Sequence, residues 1–258
     1  MKRALTFMAI MAAGIVAVSL AQWAAFDDHY FAARPAVEAW TPISNLVAHY
    51  KMNDNAANTV VTDSKGSING TNQRNTAAVS VSGKIGGALS FNGTSDYTSL
   101  GDNFFYSSNF TFAAWATRTN AWSQSVLMGG GHPGGRFSEA MLARWDWATM
   151  GFGWQWYNGV YKYAAATNDL NLGQWYHYAG SYDGQTIRYY VNGVEINSAA
   201  CTSAPVDTKK AFLIGAVNWP NPDFQWGGVI DDVRIYDRAL SSNEVYRIWN
   251  NGDGTEAE

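Results

Sequence analysis

The stretch Thr186-Ile-Arg-Tyr-Tyr-Val-Asn-Gly-Val-Glu-Ile196 contains two short runs of β-branched and aromatic residues, separated by Asn192 and Gly193. An Asn-Gly pair supplies the positive φ angles of a type I′ turn, so this stretch predicts a tight β-hairpin. Alternate side chains of a strand share one face, which places Ile187 and Tyr189 together. An antiparallel β fold is therefore the first expectation for this chain.

The same signals recur on the N-terminal side of this hairpin. The segment Phe110-Thr-Phe-Ala-Ala-Trp-Ala-Thr117 alternates and predicts a strand with Phe110 and Phe112 on one face. A second Asn-Gly pair, Asn158-Gly159, separates two further β-rich runs and predicts another hairpin. Many short strands with regular turn signals are typical of an all-β sandwich or barrel.

One short helix is predicted close to the C-terminus. Ser241 and Glu244 have the spacing of a capping box, in which each residue satisfies a free amide group of the other. Val245 and Ile248 then lie on one apolar stripe, and Gly252 supplies a left-handed stop. We expect this helix to pack on the sheet edge and the polar tail after it to be frayed.

Composition excludes several classes of function. The net charge is −4 and the 17 Lys and Arg residues are scattered, which gives no nucleic-acid footprint. The only cysteine, Cys201, cannot form an intramolecular disulfide and is typical of a small buried hydrophobe. The four histidines show no zinc-ligand spacing, so no zinc site is predicted.

The N-terminal segment is apolar over a length that spans a membrane. Two basic residues precede an uncharged stretch over residues 4–26. As a helix this stretch would rise about 34 Å, enough to cross a hydrocarbon core about 30 Å thick. The flanking charges favour a cytoplasmic N-terminus and a periplasmic or extracellular main domain, with Trp23 and Phe26 at the interfacial aromatic belt.

A cleaved secretory signal is the alternative interpretation of this segment. Ser19-Leu-Ala21 has small residues where a signal peptidase prefers them, so cleavage would follow Ala21. The apolar run is longer than the usual signal core of about 7–15 residues, which favours an uncleaved anchor. Four parts are thus predicted: a transmembrane helix or signal anchor (1–26), a linker (27–44), a β-sandwich (45–252) and a tail (253–258).

Several segments within the predicted sandwich follow one another in a characteristic order. They are His49-Tyr-Lys-Met-Asn-Asp54, Asp63-Ser-Lys-Gly66 and Asn69-Gly-Thr71; Gly83-Lys-Ile-Gly-Gly-Ala-Leu-Ser-Phe-Asn-Gly93 with Asp96-Tyr97; Trp175-Tyr-His177, Tyr182-Asp-Gly184 and Tyr190-Val-Asn-Gly193; and Gly228-Val-Ile-Asp-Asp-Val-Arg-Ile-Tyr-Asp-Arg-Ala-Leu240. Together they resemble the concanavalin A-like, laminin-G-like domains of bacterial envelope and secreted proteins. The resemblance implies a two-sheet antiparallel jelly-roll sandwich.

The carboxylates do not favour catalysis, although the same sandwich also carries glycoside hydrolases and polysaccharide lyases. A retaining glycosidase needs two carboxyl groups about 5–5.5 Å apart. Only Glu139 and Glu195 of the six glutamates lie in the core segments, and the adjacent Asp231 and Asp232 are expected to face opposite ways. His177 is the nearest candidate for a lyase base, but packing is the more common role there. We therefore predict no enzyme.

Asp231 is the strongest candidate for a metal ligand. By period 2 it would share a strand face with Val233 and Ile235, where a carboxylate is costly unless paired or ligated. The resemblance implies a structural calcium ion here, to which Asp54 and Asp96 could add oxygen ligands, as could Asp63. The alternative is a carboxylate that accepts hydrogen bonds from a loop or pairs with one of the arginines that follow it.

Aromatic residues in variable regions are candidates for ligand binding. Trp145, Trp147 and Trp219 lie at predicted loops or strand ends, where rings can stack on sugars or anchor a protein partner. Trp154 and Trp156 lie two apart on one predicted strand and are assigned to the core.

Two kinds of binding protein fit these features. The first is a membrane-anchored, extracytoplasmic accessory subunit that contacts other envelope or membrane proteins, for example in a respiratory or photosynthetic complex. The second is a secreted or surface lectin-like protein that binds carbohydrate. The long apolar segment favours the first, whereas the aromatic residues and the family resemblance favour the second.

The intact mass of the protein isolated from the producing cell distinguishes the two interpretations of the N-terminal segment. We expect the mass of the uncleaved chain, because the apolar run exceeds the usual length of a signal core. A mature chain that begins at Gln22 would contradict the anchor and favour secretion.

Overall fold

The structure is a computed structural model that describes residues 41–102, 108–119, 125–130, 141–146, 149–155, 161–167, 171–202, 205, 211–218 and 221–257. The predicted membrane segment, with Trp23 and Phe26, lies outside these residues. Within them, no helix combines the length and apolarity that crossing a membrane requires. The chain from residue 42 onward forms one compact unit.

The described residues form eighteen β-strands, two short α-helices and one 3₁₀ turn. The strands are β1 (Leu46–Tyr50), β2 (Val60–Val61), β3 (Gly70–Asn72), β4 (Ser80–Ser82), β5 (Gly87–Asn92), β6 (Thr98–Ser99), β7 (Phe110–Arg118), β8 (Met128–Gly129), β9 (Met141–Asp146), β10 (Thr149–Gln155), β11 (Tyr161–Thr167), β12 (Tyr176–Tyr182), β13 (Thr186–Val191), β14 (Val194–Ala200), β15 (Leu213–Ile214), β16 (Val217–Asn218), β17 (Pro222–Asp223) and β18 (Gly227–Tyr236). The helices are α1 (Thr76–Val79) and α2 (Ser242–Trp249), and Asn250–Gly252 forms the 3₁₀ turn.

Two antiparallel sheets of eight strands each make the body of the domain. The first has the order β14-β13-β12-β7-β18-β5-β4, with β1 paired to β18. The second has the order β11-β10-β9-β8-β15-β6-β3-β2, and β16 and β17 form a separate ribbon. This architecture confirms the predicted two-sheet antiparallel sandwich.

An aromatic core joins the two sheets. Phe110 and Phe112 of β7 lie 6.0 and 6.1 Å, between ring centroids, from Phe152 of β10 in the other sheet. Gly180 of β12 leaves room for this contact, because a Cβ at that position would overlap the Phe152 ring. The alternation predicted for β7 is confirmed, since its Phe side chains face the core.

Both predicted hairpins are present. Asn192 and Gly193 have φ angles of 51° and 76°, as the predicted turn between β13 and β14 requires. Strands β10 and β11 pair in register from Thr149 opposite Thr167 to Gln155 opposite Tyr161. The Asn158-Gly159 turn between them lies outside the described residues.

The C-terminal helix begins as predicted and ends differently. The Ser241 Oγ accepts from the Glu244 amide, and the Glu244 carboxylate accepts from the Ser241 amide, which confirms the capping box. The left-handed residue that ends α2 is Asn250 (φ 50°), two residues before the predicted Gly252.

The polar tail after α2 is packed on the domain, so the expectation that it is frayed is wrong. Arg234 donates hydrogen bonds to the main-chain carbonyl groups of Thr255 and Ala257. Because Arg234 binds main-chain acceptors, the side chains of the tail gave no sign of these two contacts.

A β-bulge in β18 determines which of its side chains face the core. Asp231 lies opposite Trp115 of β7, but the next paired residue is Arg234, and Asp232 has a φ of 46°. The bulge leaves Val233 in the core and turns Asp231 away from it. The expectation that Asp231 shares a face with Val233 is therefore wrong, because the extra residue breaks the period of two.

A buried polar layer on the outer face of the first sheet

Three polar side chains form one row across the outer face of the first sheet. Asp231 of β18 and His177 of β12 each lie opposite Trp115 of the intervening strand β7. All three are buried, and the rings of Trp115 and His177 lie 5.3 Å apart between centroids. Since alternate β7 residues point into the core, Trp115 must point to the outer face.

Beside this row, His49, Asp232 and Arg234 form a fully buried charged network. The Asp232 Oδ1 atom lies 2.7 Å from the His49 Nε2 atom, and the Arg234 Nε group donates to both carboxylate oxygens at 3.1 and 3.2 Å. Burial alone would raise the pKa of Asp232. The charge of Arg234 and the hydrogen bond from His49 nevertheless hold that pKa below its ordinary value. Asp232 is therefore a buried carboxylate ion.

Several polar atoms of the row have no hydrogen-bond partner among the described residues. They are the Trp115 Nε1, both ring nitrogens of His177 and the Asp231 Oδ1. Burial lowers the pKa of His177 to about 3, so its ring is neutral at physiological pH. The structure places this neutral imidazole in the buried layer against Trp115, and its assignment to packing over catalysis stays a prediction.

Asp231 differs from its neighbour Asp232 in how its two oxygens are used. The Asp231 Oδ2 accepts a hydrogen bond of 2.8 Å from the Ile85 amide in the turn between β4 and β5. Burial raises the pKa of Asp231 to about 7, although the bond from Ile85 opposes this shift. The carboxyl group can thus change its charge near neutral pH.

The other predicted metal ligands are engaged elsewhere. Both oxygens of Asp54 accept hydrogen bonds from Thr62, and Asp96 pairs with Arg74. Asp63 accepts several main-chain amide hydrogen bonds within its own loop and from β1. In the part of the chain that the structure describes, no three His, Cys, Asp or Glu side chains are grouped to hold a metal ion.

The predicted aromatic binding residues are only partly within the described structure. Trp145 lies in β9, where its Cα is opposite that of Met150. Trp147, Trp219 and the predicted core residue Trp156 lie outside the described residues. Their roles in ligand binding or packing stay predictions.

Sequence reasoning missed the network of His49, Asp232 and Arg234. His49 and Asp232 are 183 residues apart in the chain, so no local sequence pattern links them. The available signal was Arg234 close to Asp231 and Asp232 within an otherwise apolar strand, because charged groups buried in such a strand require partners.

Comparison with known proteins supports the architecture. Residues 92–246 match the family described as the concanavalin A-like lectin/glucanases superfamily. Comparison of the sequence with curated proteins finds no match.

Three solved structures illustrate the likeness of fold. Domain 4 of a GH43 extracellular arabinanase from Geobacillus stearothermophilus, in complex with arabinotriose, is 24% identical with a TM-score of 0.57; the match covers 79% of this chain and 97% of that domain. A Trypanosoma rangeli sialidase is 18% identical over 90% of this chain and 38% of its own, with a TM-score of 0.57. The receptor binding domain of a botulinum neurotoxin C/D mosaic serotype is 14% identical, with a TM-score of 0.55. The match covers 80% of this chain and 51% of the toxin chain. The match thus spans well under two thirds of the sialidase and of the toxin domain.

Replacement of Asp232 tests the buried network. We expect Asp232→Asn to lower the free energy of unfolding by about 3–5 kcal/mol, because it leaves the buried Arg234 charge without its partner. Urea unfolding followed by tryptophan fluorescence measures this change. The matched control is Glu195→Gln, whose carboxylate lies 3.9 Å from Arg188 at the surface and should cost less than about 1 kcal/mol. Equal effects of the two substitutions would contradict the role given to Asp232.

Proposed function

Because the chain belongs to the concanavalin A-like lectin/glucanase superfamily, we propose that its sandwich is a non-catalytic module that binds carbohydrate outside the cytoplasm. The observation that carries this proposal is the likeness to the arabinanase domain, whose length is covered to 97% and whose structure contains arabinotriose. The match covers 79% of this chain, so a module of about this extent is large enough to bind a glycan.

The engagement of the acidic side chains supports a non-catalytic role. Asp231 and Asp232 are both buried beneath the outer face of the first sheet, where a polysaccharide has no access. Among the other described acids, Asp96 pairs with Arg74, and Asp183 pairs with Arg188. A hydrolase would instead need two carboxyl groups that face one substrate.

The apolar stretch over residues 4–26 supports a second candidate function. If that stretch is an uncleaved anchor, the sandwich is tethered to a membrane and can act as an accessory subunit that contacts other envelope proteins. In both candidates the module binds a partner, and the aromatic residues Trp145, Trp147 and Trp219 are the proposed contact residues.

Carbohydrate binding is tested with the full-length protein in detergent and arabinotriose as the first probe, followed by an array of other oligosaccharides. We expect saturable binding in isothermal titration calorimetry. Trp145→Ala, Trp147→Ala and Trp219→Ala should weaken it by about 1–2 kcal/mol each, because stacked rings carry much of the affinity for sugars.

The matched control is Val194→Ala, at an exposed position of β14, which should leave the affinity unchanged. Absence of binding to every oligosaccharide, together with purification as part of a larger membrane assembly, would overturn the carbohydrate proposal and favour the accessory subunit.

We further propose that Asp231 holds a structural calcium ion. Its buried Oδ1 has no hydrogen-bond partner among the described residues, and a hard carboxylate oxygen is a preferred ligand of Ca²⁺. Carbonyl oxygens of the main chain would have to complete the site, because Asp54 and Asp96 are engaged with Thr62 and Arg74. The ion would link the bulge of β18 to the turn that follows β4.

Thermal unfolding with and without calcium tests this site. We expect millimolar Ca²⁺ to raise the Tm of the wild type by several degrees at pH 8, and not that of Asp231→Asn. The increase should shrink below pH 7, because the pKa of Asp231 is raised to about 7 and the protonated carboxyl competes with the ion. An equal increase in Tm for Asp231→Asn would contradict the assignment. The same measurement on Asp54→Asn shows whether Asp54 contributes to calcium binding.

A further inference from the structure

The C-terminal segment Asp253–Ala257, called the strap below, is held on the domain by polar contacts. The buried Arg234 donates to two of its main-chain carbonyl groups, as described above. The Glu256 carboxylate accepts a hydrogen bond of 2.6 Å from the Asn53 amide and lies 3.6 Å from the Lys51 Nζ atom. Lys51 and Glu256 are partly exposed, so their ion pair contributes little to stability.

The strap covers the elements that enclose the Asp231 carboxylate. A Cβ at Gly254 would lie 2.5 Å from the Ile85 Cδ1 and 3.0 Å from the Trp115 Nε1, so the strap backbone packs directly on both residues. Ile85 is the residue whose amide binds Asp231. Asn53 extends this enclosure, because its side chain also accepts a hydrogen bond of 2.6 Å from the Gly87 amide.

The residues before the strap have the geometry of a hinge. Asn250, Asn251 and Gly252 have φ angles of 50°, 56° and 92°, three successive residues in the left-handed region. Asparagine adopts the left-handed region more readily than most residues, and hinges move through changes in the φ and ψ angles of a few such residues at the ends of elements. Helix α2 can stay docked through Val245 and Ile248, which are buried, while the strap moves.

From these contacts we infer that the strap is a lid over the buried Asp231 carboxylate, and that ions reach this group only when the strap lifts at Asn250–Gly252. Asp231 is inaccessible to solvent when the strap is docked, yet one of its oxygens is unused by the described residues. The identity of the ion rests on the proposed calcium site. The movement of the strap does not depend on that proposal.

Binding kinetics of Tb³⁺, a Ca²⁺ substitute whose luminescence is excited through nearby tryptophan, tests the lid. In stopped-flow measurements on the full-length protein, Glu256→Ala should increase both the association and the dissociation rate about three- to tenfold, because it removes the contacts with Asn53 and Lys51. The equilibrium affinity should change less than either rate. Thr255→Ser is the matched control, because Thr255 holds Arg234 through its main-chain carbonyl, and its rates should equal those of the wild type.

Amide hydrogen exchange at Ile85 gives a readout that does not depend on an ion. We expect Glu256→Ala to accelerate this exchange several-fold, with unchanged circular dichroism and unchanged exchange at the core strand β7. Faster exchange without any Tb³⁺ binding in either protein would refute the calcium site and still support the lid. Unchanged exchange at Ile85 and unchanged ion kinetics in Glu256→Ala would overturn the lid.

Discussion

The buried charge of Asp232 is the constraint on which the outer face of the first sheet depends. A carboxylate ion removed from water is costly, and this cost is offset only by close partners that carry the opposite charge or donate hydrogen bonds. Arg234 comes from the same strand and His49 from β1, so the ion joins the first and last strands of the domain. Arg234 in turn holds the C-terminal tail, whose docked position is therefore a consequence of that charge.

The strands and turns were predictable because their signals are local. Asn192 and Gly193 fix a turn through their own backbone preferences, and the alternation of Phe110 and Phe112 follows from strand geometry alone. The bulge at Asp232 was not predictable in this way. Aspartate tolerates a positive φ, but whether it adopts one is decided by the pairing of β18 with β7, which is far away in the sequence.

The predicted metal ligands show the same limit. Asp54 and Asp96 have the right chemistry for calcium, but an aspartate in a loop can equally cap nearby donors. Thr62 is eight residues from Asp54, and Arg74 is 22 residues from Asp96, and in the structure these neighbours use the carboxylate oxygens. Residue type alone therefore does not identify metal ligands, and the Asp231 Oδ1 without a hydrogen-bond partner among the described residues could be found only from the fold.

Asp231 and Asp232 illustrate how one bulge gives adjacent carboxyl groups different chemistry. Asp232 lies against a guanidinium group, which lowers its pKa, so it stays ionised and has a structural role. Asp231 faces a main-chain amide and lies opposite Trp115, and its burial raises its pKa to about 7. Two like charges side by side repel, and the repulsion by ionised Asp232 raises the pKa of Asp231 further. The calcium ion that we propose would interact with the ionised form of Asp231, whereas Asp232 already has its partners in Arg234 and His49.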